Sequence, residues 1–263
     1  MQKLNAKQAT ELALEVGRIL LQSGSATNRV EKMMLKVCAG FGYPNTESFV
    51  TPTGIFISLN DTEGDISTSI KRIENRRIDL GKITRVSRLV NCLEEQDCPE
   101  GRTNMDARKF REELNQIDVE KTWPTWLLSL CGGATSGFFC LLFGGAWMEF
   151  AIAVFIGIVV SYGMKFLSRL SINNFLLNAL AAALIVFIAK LLDLYIPYVR
   201  LDNIIIGGIM LLVPGLSITN AIRDTMSGDL VSGTARGMEA LFITVGVVAG
   251  SGSMLKIWAL WGF

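Results

Sequence analysis

Ile204-Ile205-Ile206-Gly207-Gly208-Ile209-Met210-Leu211-Leu212-Val213-Pro214-Gly215 is too apolar for a soluble surface and ends in a pair that does not sit easily inside a helix. Continued from Asn203 to Ile222, the segment falls within the about 17–25 residues that a hydrocarbon core of roughly 30 Å requires. Pro214 lacks an amide donor and crowds the carbonyl of Met210, so a kink or break is expected there. Beyond it, the amides of Gly215, Leu216 and Ser217 are expected at the positive end of a new half-helix, a receptor for a carboxylate. Ser217, Asn220 and Asp224 then share one face of that half-helix. Asp229 and Arg236 follow, interleaved with Gly228 and Gly233. Carboxylates at membrane depth are costly and usually face a partner or a pathway, and transporters often build their sites on discontinuous helices. The bland alternative is a plain proline kink with Asp224 already at the membrane surface.

Four more apolar segments flank this one: Trp126 to Phe143, Trp147 to Tyr162, Asn174 to Leu192, and Met238 to Trp261. Five spans place the two termini on opposite sides of a membrane. Arg102, Arg108, Lys109, Arg111, Lys121, Lys165, Arg169, Arg223 and Arg236 fall on one side, against Lys190, Arg200 and Lys256 on the other. The positive-inside rule therefore predicts a cytoplasmic N-terminus and an external C-terminus in a multi-pass protein of the cell (inner or plasma) membrane. Aromatic residues such as Trp126, Trp147, Tyr162 and Trp261 stand at span ends, where amphipathic rings prefer the headgroup level. Asn174 and Asn178 are one turn apart, a polar face that suits substrate binding or interhelical hydrogen bonding equally. Gly246 and Gly250 form a GxxxG pattern, read as helix packing. Glu149 fits an interfacial position without a function.

The charge distribution agrees with that reading. The chain has 263 residues, 50% of them hydrophobic, with no His and a net charge of +1. Residues 1–121 carry 18 Lys/Arg and 18 Asp/Glu, whereas the remaining 142 carry only 7 and 6. Without His, a Ser-His-Asp triad and a His-bearing zinc site are excluded. A near-zero net charge with no basic block argues against nucleic acid. Cys38, Cys92, Cys98, Cys131 and Cys140 show no CxxC pair and are expected as reduced thiols. Met1 to Lys7 is polar, so no signal peptide is expected. No cofactor or metal site is expected.

In the charged half, Ala9, Leu12, Ala13, Val16, Ile19 and Leu20 recur at helical spacing from Asn5 until Ser23-Gly24-Ser25. A second helix is expected from Asn28, with Glu31 reaching back to its free donors, as far as Gly40 or Gly42. Glu47 to Thr51 and Thr53 to Leu59 flank a Thr51-Pro52-Thr53-Gly54 turn, and Ile66, Thr68 and Ile70 alternate beyond it, which suggests a small antiparallel sheet. Two more helices follow, one on Leu80, Ile83, Leu89, Val90 and Leu93 and one on Phe110, Leu114 and Ile117. The cluster Lys71, Arg72, Arg76 and Arg77 reads as a solvated surface balanced by Glu74 and Asp79. The fold class is thus an α+β N-terminal cytosolic domain, 1–121, followed by an α-helical membrane domain of five transmembrane helices, 122–263.

The string Leu212-Val213-Pro214-Gly215, Asn220-Ala221-Ile222-Arg223-Asp224, Gly228-Asp229, Gly233 and Arg236 resembles the signature of the threonine/serine exporter family (ThrE-like), in particular its YjjP-like large subunits. Ser23-Gly24-Ser25-Ala26-Thr27 with Arg29-Val30-Glu31, Phe49-Val50-Thr51-Pro52-Thr53-Gly54 and Gly144-Gly145-Ala146-Trp147 agree with it. The resemblance implies an exporter, not an enzyme, that moves threonine and serine or, for a YjjP-like chain paired with YjjB, succinate. Single-chain members have about ten spans, so it also implies a small YjjB-like membrane subunit as partner. Pro214, Gly215, Ser217, Asn220, Asp224, Asp229, Arg236 and Asn178 are the candidate substrate-binding or gating residues, with Asp224 for proton coupling or gating and Arg236 as its charge partner or as the partner of a second carboxylate. Two alternatives stand beside this: a regulatory or assembly subunit whose cytosolic domain senses a metabolite, and a hydrolase-like activity of that domain.

Overall fold

The computed structural model describes residues 4–60, 66–74, 77–93, 106–120, 123–168, 172–196 and 199–261. Asp97 to Gly101, where the sequence predicts a break between the third and fourth helices, the cations Arg76, Arg102, Lys121 and Arg169, and Cys98 lie outside the described residues. The chain forms two compact units, Met1–Lys121 with Leu216–Gly237, and Thr122–Gly215 with Met238–Phe263.

The first unit starts with α1 (Ala6–Gln22), α2 (Thr27–Gly40), β1 (Thr46–Thr51), β2 (Gly54–Asn60), β3 (Ile66–Arg72), α3 (Leu80–Asn91) and α4 (Ala107–Val119). This is the order that the apolar spacing predicts. Asn5 caps α1 with its side chain and Asp79 caps α3, accepting the Lys82 amide at 2.9 Å. The strands form one antiparallel sheet in the order β1-β2-β3, and the β1–β2 hairpin closes at Thr51 and Gly54 around Pro52-Thr53. Ile55, Ile57 and Leu59 alternate inward onto Leu12, Val16 and Leu20 of α1, Val30 and Met34 of α2, and Val86 and Val90 of α3. Phe110 of α4 closes the core edge-on against Phe41, with ring centroids 5.7 Å apart.

One local expectation is corrected. α2 opens at Thr27 after an Ala26 cap that has no side-chain hydrogen bond, so Asn28 is inside the helix. Glu31 does not return to the helix start; its Oε1 accepts the Val50 amide at 2.9 Å. β1 is an edge strand, half of whose amides point away from β2, and Glu31 satisfies one of them.

The second unit holds α5 (Thr125–Leu142), α6 (Trp147–Leu167), α7 (Asn174–Asp193) and α8 (Leu201–Met210). Two further helices, α9 (Gly215–Met226) and α10 (Leu230–Leu260), complete the chain, and α10 contributes to both units. α5, α6, α7 and α10 are each long and apolar enough to cross a membrane; α8 and α9 qualify together, bent by 54° at their break. Among the described residues there are thus four candidate spans, or five with the broken pair counted as one. The last helix starts at Leu230, two turns before the expected Met238. Only 22–33% of each apolar window is buried within the chain, so most of that surface requires lipid or another membrane subunit.

Gly246 and Gly250 do serve packing. A Cβ at Gly250 would stand 1.9 Å from the Ala179 carbonyl oxygen, and one at Gly246 2.8 Å from that of Phe175, both backbone atoms of α7. Two helices approach this closely only where one side chain is missing. Gly250→Ala is therefore expected to lower unfolding stability in detergent by about 1–3 kcal/mol through overpacking. Gly252→Ala, whose Cβ meets nothing within 4 Å, is the control and should leave the unfolding midpoint unchanged or slightly raised. Equal behaviour of the two variants would remove the close contact.

Candidate functional site

The backbone leaves α8 at Met210 and regains helix at Gly215, one residue past Pro214. The expected interruption is therefore present, and its chemistry is partly different. The Gly215 amide is not free: it donates to the Val213 carbonyl at 2.8 Å, because so short a break closes through a tight turn. An anion receptor at this end of α9 keeps at most the Leu216 and Ser217 amides. Ser217 itself is half-buried.

α9 buries Asn220, Ala221 and Asp224. It ends at Gly228, whose φ of 88° lies in the left-handed region that glycine adopts without strain, and the Asp229 amide returns to the Asp224 carbonyl at 3.0 Å. Asp229 then begins the next helix: its Oδ1 accepts the Ser232 amide at 3.0 Å, the bond of an N-cap. Helix stop and helix start thus fit into three residues. That tight elbow brings Arg236, two turns into α10, onto α9.

Arg236 Nε lies 3.1 Å from Asp224 Oδ2, and the side chains are 5% and 0% exposed. The other donors of the elbow reach the turn between α1 and α2. Arg236 Nη2 donates to the Ser25 carbonyl at 2.8 Å, Asn220 Nδ2 to the Gly24 carbonyl at 3.1 Å, and Thr27 Oγ1 donates to Asp229 Oδ2 at 3.0 Å. Asn220, Asp224, Asp229 and Arg236, four of the residues singled out in the sequence, converge on one clasp with Gly24, Ser25 and Thr27. Asn178 does not take part; it lies in α7, in the second unit, and donates to its own helix at the Asn174 carbonyl, 2.7 Å away.

Two carboxyl groups of the clasp differ in their electrostatics. Burial alone raises the Asp229 carboxyl, but the Ser232 side chain and amide, Thr27 and Arg236 together outweigh it and hold it below the ordinary value. Glu31 is raised, first by burial, with the Val50 amide opposing and the charges of Asp229 and Asp224 adding to the rise. Asp229→Ala removes the cap and the Thr27 contact, and is expected to cost about 1 kcal/mol of stability, within the range of lost N-caps. Because the folded Asp229 group is more acidic than its unfolded value of 3.8, its contribution is complete above that pH and disappears as the pH falls through the folded value. Wild type and Asp229→Ala should therefore converge in stability under strong acid; a constant difference across the titration would remove Asp229's charge from the account.

A second buried carboxylate went unrecognised in the sequence. Glu149, 4% exposed at the start of α6, accepts the Ala146 amide at 2.8 Å, the Arg200 amide at 2.8 Å and the Asn203 side chain at 3.3 Å. The Arg200 guanidinium stands 3.6 Å from it. Glu149 stands three residues past Ala146 and returns its carboxylate to the cap amide, the half of a capping box that the acid supplies; Ala146 has no side-chain oxygen for the other half, so the sequence lacks the full signature.

Burial pushes the Cys38 thiol up to about 11, against a lowering contact with Thr46, which makes that thiol a poor nucleophile. Cys38, Cys131 and Cys140 are free, whereas Cys92 is disulfide-bonded, a departure from the expected set of thiols. Arg72 pairs with Glu74 at 3.4 Å on an exposed surface, in keeping with a solvated cluster.

Comparison with known proteins places this geometry in context. A family model described as "Putative threonine/serine exporter" (ThrE) matches residues 11–258. The chain is 26% identical over 268 residues to the "Probable succinate transporter subunit YjjP" of Escherichia coli K12, with all of both chains covered. It is 27% identical over 254 residues to the "Threonine/serine exporter" of Corynebacterium glutamicum, where 94% of this chain aligns with 50% of that protein. It therefore spans about half the length of that relative. No solved structure matches the chain significantly.

Proposed function

Because the chain belongs to the threonine/serine exporter family, we propose that it is the large subunit of a two-component secondary exporter of small carboxylate-bearing metabolites, threonine and serine or a dicarboxylate such as succinate. One observation carries the two-component reading: the chain matches the full length of a relative named as a transporter subunit but only half of the Corynebacterium exporter. The missing half corresponds to a small YjjB-like membrane subunit. The largely unburied apolar faces of the spans leave room for it. In this reading residues 1–121 are cytosolic and the C-terminus is external, as the Lys/Arg distribution favours.

The mechanism builds on the clasp. A buried ion pair is stable only while both partners are charged, so a proton or an anionic cargo that engages either partner changes which arrangement is favoured. Asp224 is the gating acid and Arg236 its charge partner, released toward a cargo carboxylate when the pair opens. Ser217 and Asn220, on the same face of α9, are the neutral hydrogen-bond partners. Pro214 and Gly215 keep α9 distinct from α8, and Asp229 fixes the direction of α10. Asn178 lines the second unit.

The test is counterflow in vesicles that contain this chain with a YjjB-like small subunit, comparing threonine, serine and succinate. The pair should exchange at least one of them and this chain alone none; full exchange by the chain alone would end the two-component reading. Asp224→Asn in the pair should insert normally and lower exchange by about tenfold or more, since a lost charge-assisted contact is worth about 1.5–3 kcal/mol. Unchanged exchange would exclude Asp224 from the mechanism.

A further inference from the structure

The clasp contains more acid than base. Its contacts join Asp224 and Asp229 to one guanidinium, that of Arg236. A third carboxyl, Glu31, stands one turn beyond Thr27 on α2, so the residue that donates to Asp229 and the residue that carries this carboxyl share a helix face. Asp224 has its ion pair, and Asp229 has the Ser232 amide and the Thr27 hydroxyl. Among the described residues Glu31 accepts one hydrogen bond, from the Val50 amide of β1 to one of its oxygens, and makes no ion pair.

The cations on the surrounding helices are occupied or exposed. Arg18 of α1 and Lys82 of α3 both reach Asp118, and Arg29 of α2 donates to Ser87. Lys36 of α2 donates to Asn91, while Lys32 and Arg88 face solvent. The ionisable groups that act on Glu31 are therefore Asp229 and Asp224, both negative. Glu31 is half-buried, and the two carboxyl groups beyond it include Asp224, whose side chain has no exposed surface. Three carboxyl groups around one guanidinium, partly withdrawn from solvent, raise the cost of ionising one another, and the proton settles where no cation and fewest donors compete for the charge.

We propose that Glu31 is the proton-binding side chain of the clasp, and that protonation of its carboxylate from solution is the step through which a proton gradient acts on the Asp224–Arg236 pair. The proposal rests on the exporter reading above and adds to it the address of the proton. An ionised Glu31 faces Asp229 and Asp224 with like charge and loosens the α1–α2 turn from the elbow. A neutral Glu31 keeps its Val50 bond and lets the clasp close. Glu31 is a positioning residue in this scheme, because it acts through the clasp and not on cargo. The same desolvation that shifts its titration upward supports the assignment.

Two measurements decide it, both on the full chain. The first is infrared difference spectroscopy of the purified protein titrated from acid to neutral pH, which reads the carbonyl band of a protonated carboxylic acid. The band should be lost in Glu31→Gln and persist in Asp224→Asn and Asp229→Asn. A band that survives Glu31→Gln and is lost in Asp224→Asn would move the proton to Asp224 and overturn the proposal. The second is cargo accumulation in vesicles of the co-expressed pair under an imposed pH gradient. Glu31→Gln, which keeps an acceptor for the Val50 amide, should lose the response to the gradient and the pH dependence of exchange. A gradient response equal to that of wild type overturns the proposal while the exporter reading stands. If the wild-type pair exchanges none of the three cargoes, the exporter reading falls and takes the coupling role with it.

Discussion

Replacement of Arg236 by Met is expected to destabilise the protein by about 3–5 kcal/mol, the cost of leaving one partner of a buried pair uncompensated. Asp224 has no exposed side-chain surface, and the nearest charge is the guanidinium 3.1 Å away. Loss of that charge strands a carboxylate in a place that water does not reach, and the Ser25 carbonyl loses its donor as well. The double variant Asp224→Asn with Arg236→Met should recover part of the loss, because a neutral amide needs no counter-charge. A coupling free energy of about 1–3 kcal/mol is expected from the cycle, as for groups in direct contact. Reversible unfolding in detergent, followed for the two single variants and the double variant, measures it. A loss below about 0.5 kcal/mol for Arg236→Met, the range of surface changes, would mean that the pair is not buried in solution. Additive losses would mean that it is not a pair.

This clasp also shows how far the sequence could be read. Local signals sufficed for the helix and strand order, because the periodicities that announce α1, β2 and α3 are the same ones that bury Val16, Ile57 and Val90. Pro214 announced its own break, whereas the helix stop at Gly228 and the cap at Asp229 were not read, and the last helix was expected only from Met238. The polar face of α9 could be listed from spacing, but the groups that receive it could not. Arg236 and Asn220 donate to the carbonyls of Ser25 and Gly24, backbone atoms that every residue carries and that lie 211 and 196 positions away. Nothing in a residue's identity marks its carbonyl as an acceptor. Glu31 was misread for the same reason: a carboxylate three residues past a polar residue suits a helix start, whereas its partner is an edge-strand amide 19 positions on. Side chains that settle on distant backbone are the part of a site that folding alone discloses.

Glu149→Leu is expected to cost about as much as the loss of Arg236, for a different reason. Glu149 has no buried cation to neutralise: the Arg200 side chain is 64% exposed while that of Glu149 is 5% exposed. Its role is that of an acceptor. The Ala146 and Arg200 amides and the Asn203 side chain all point at one carboxylate, which ties the α5–α6 turn to the start of α8. Leu fills the volume and accepts nothing, and two charge-assisted amide bonds at about 1.5–3 kcal/mol each amount to about 3–6 kcal/mol. Glu149→Gln retains one neutral acceptor and should lose less. Arg200→Ala should lose under about 1 kcal/mol, since an ion pair with one exposed partner is screened and its backbone amide remains. The expected order in unfolding stability is therefore Leu well below Gln, and Gln below Arg200→Ala. Were Arg200→Ala the most damaging of the three, the carboxylate would be acting as a counter-ion and not as a staple. Were Glu149→Leu harmless, the two connections would be held together by packing alone.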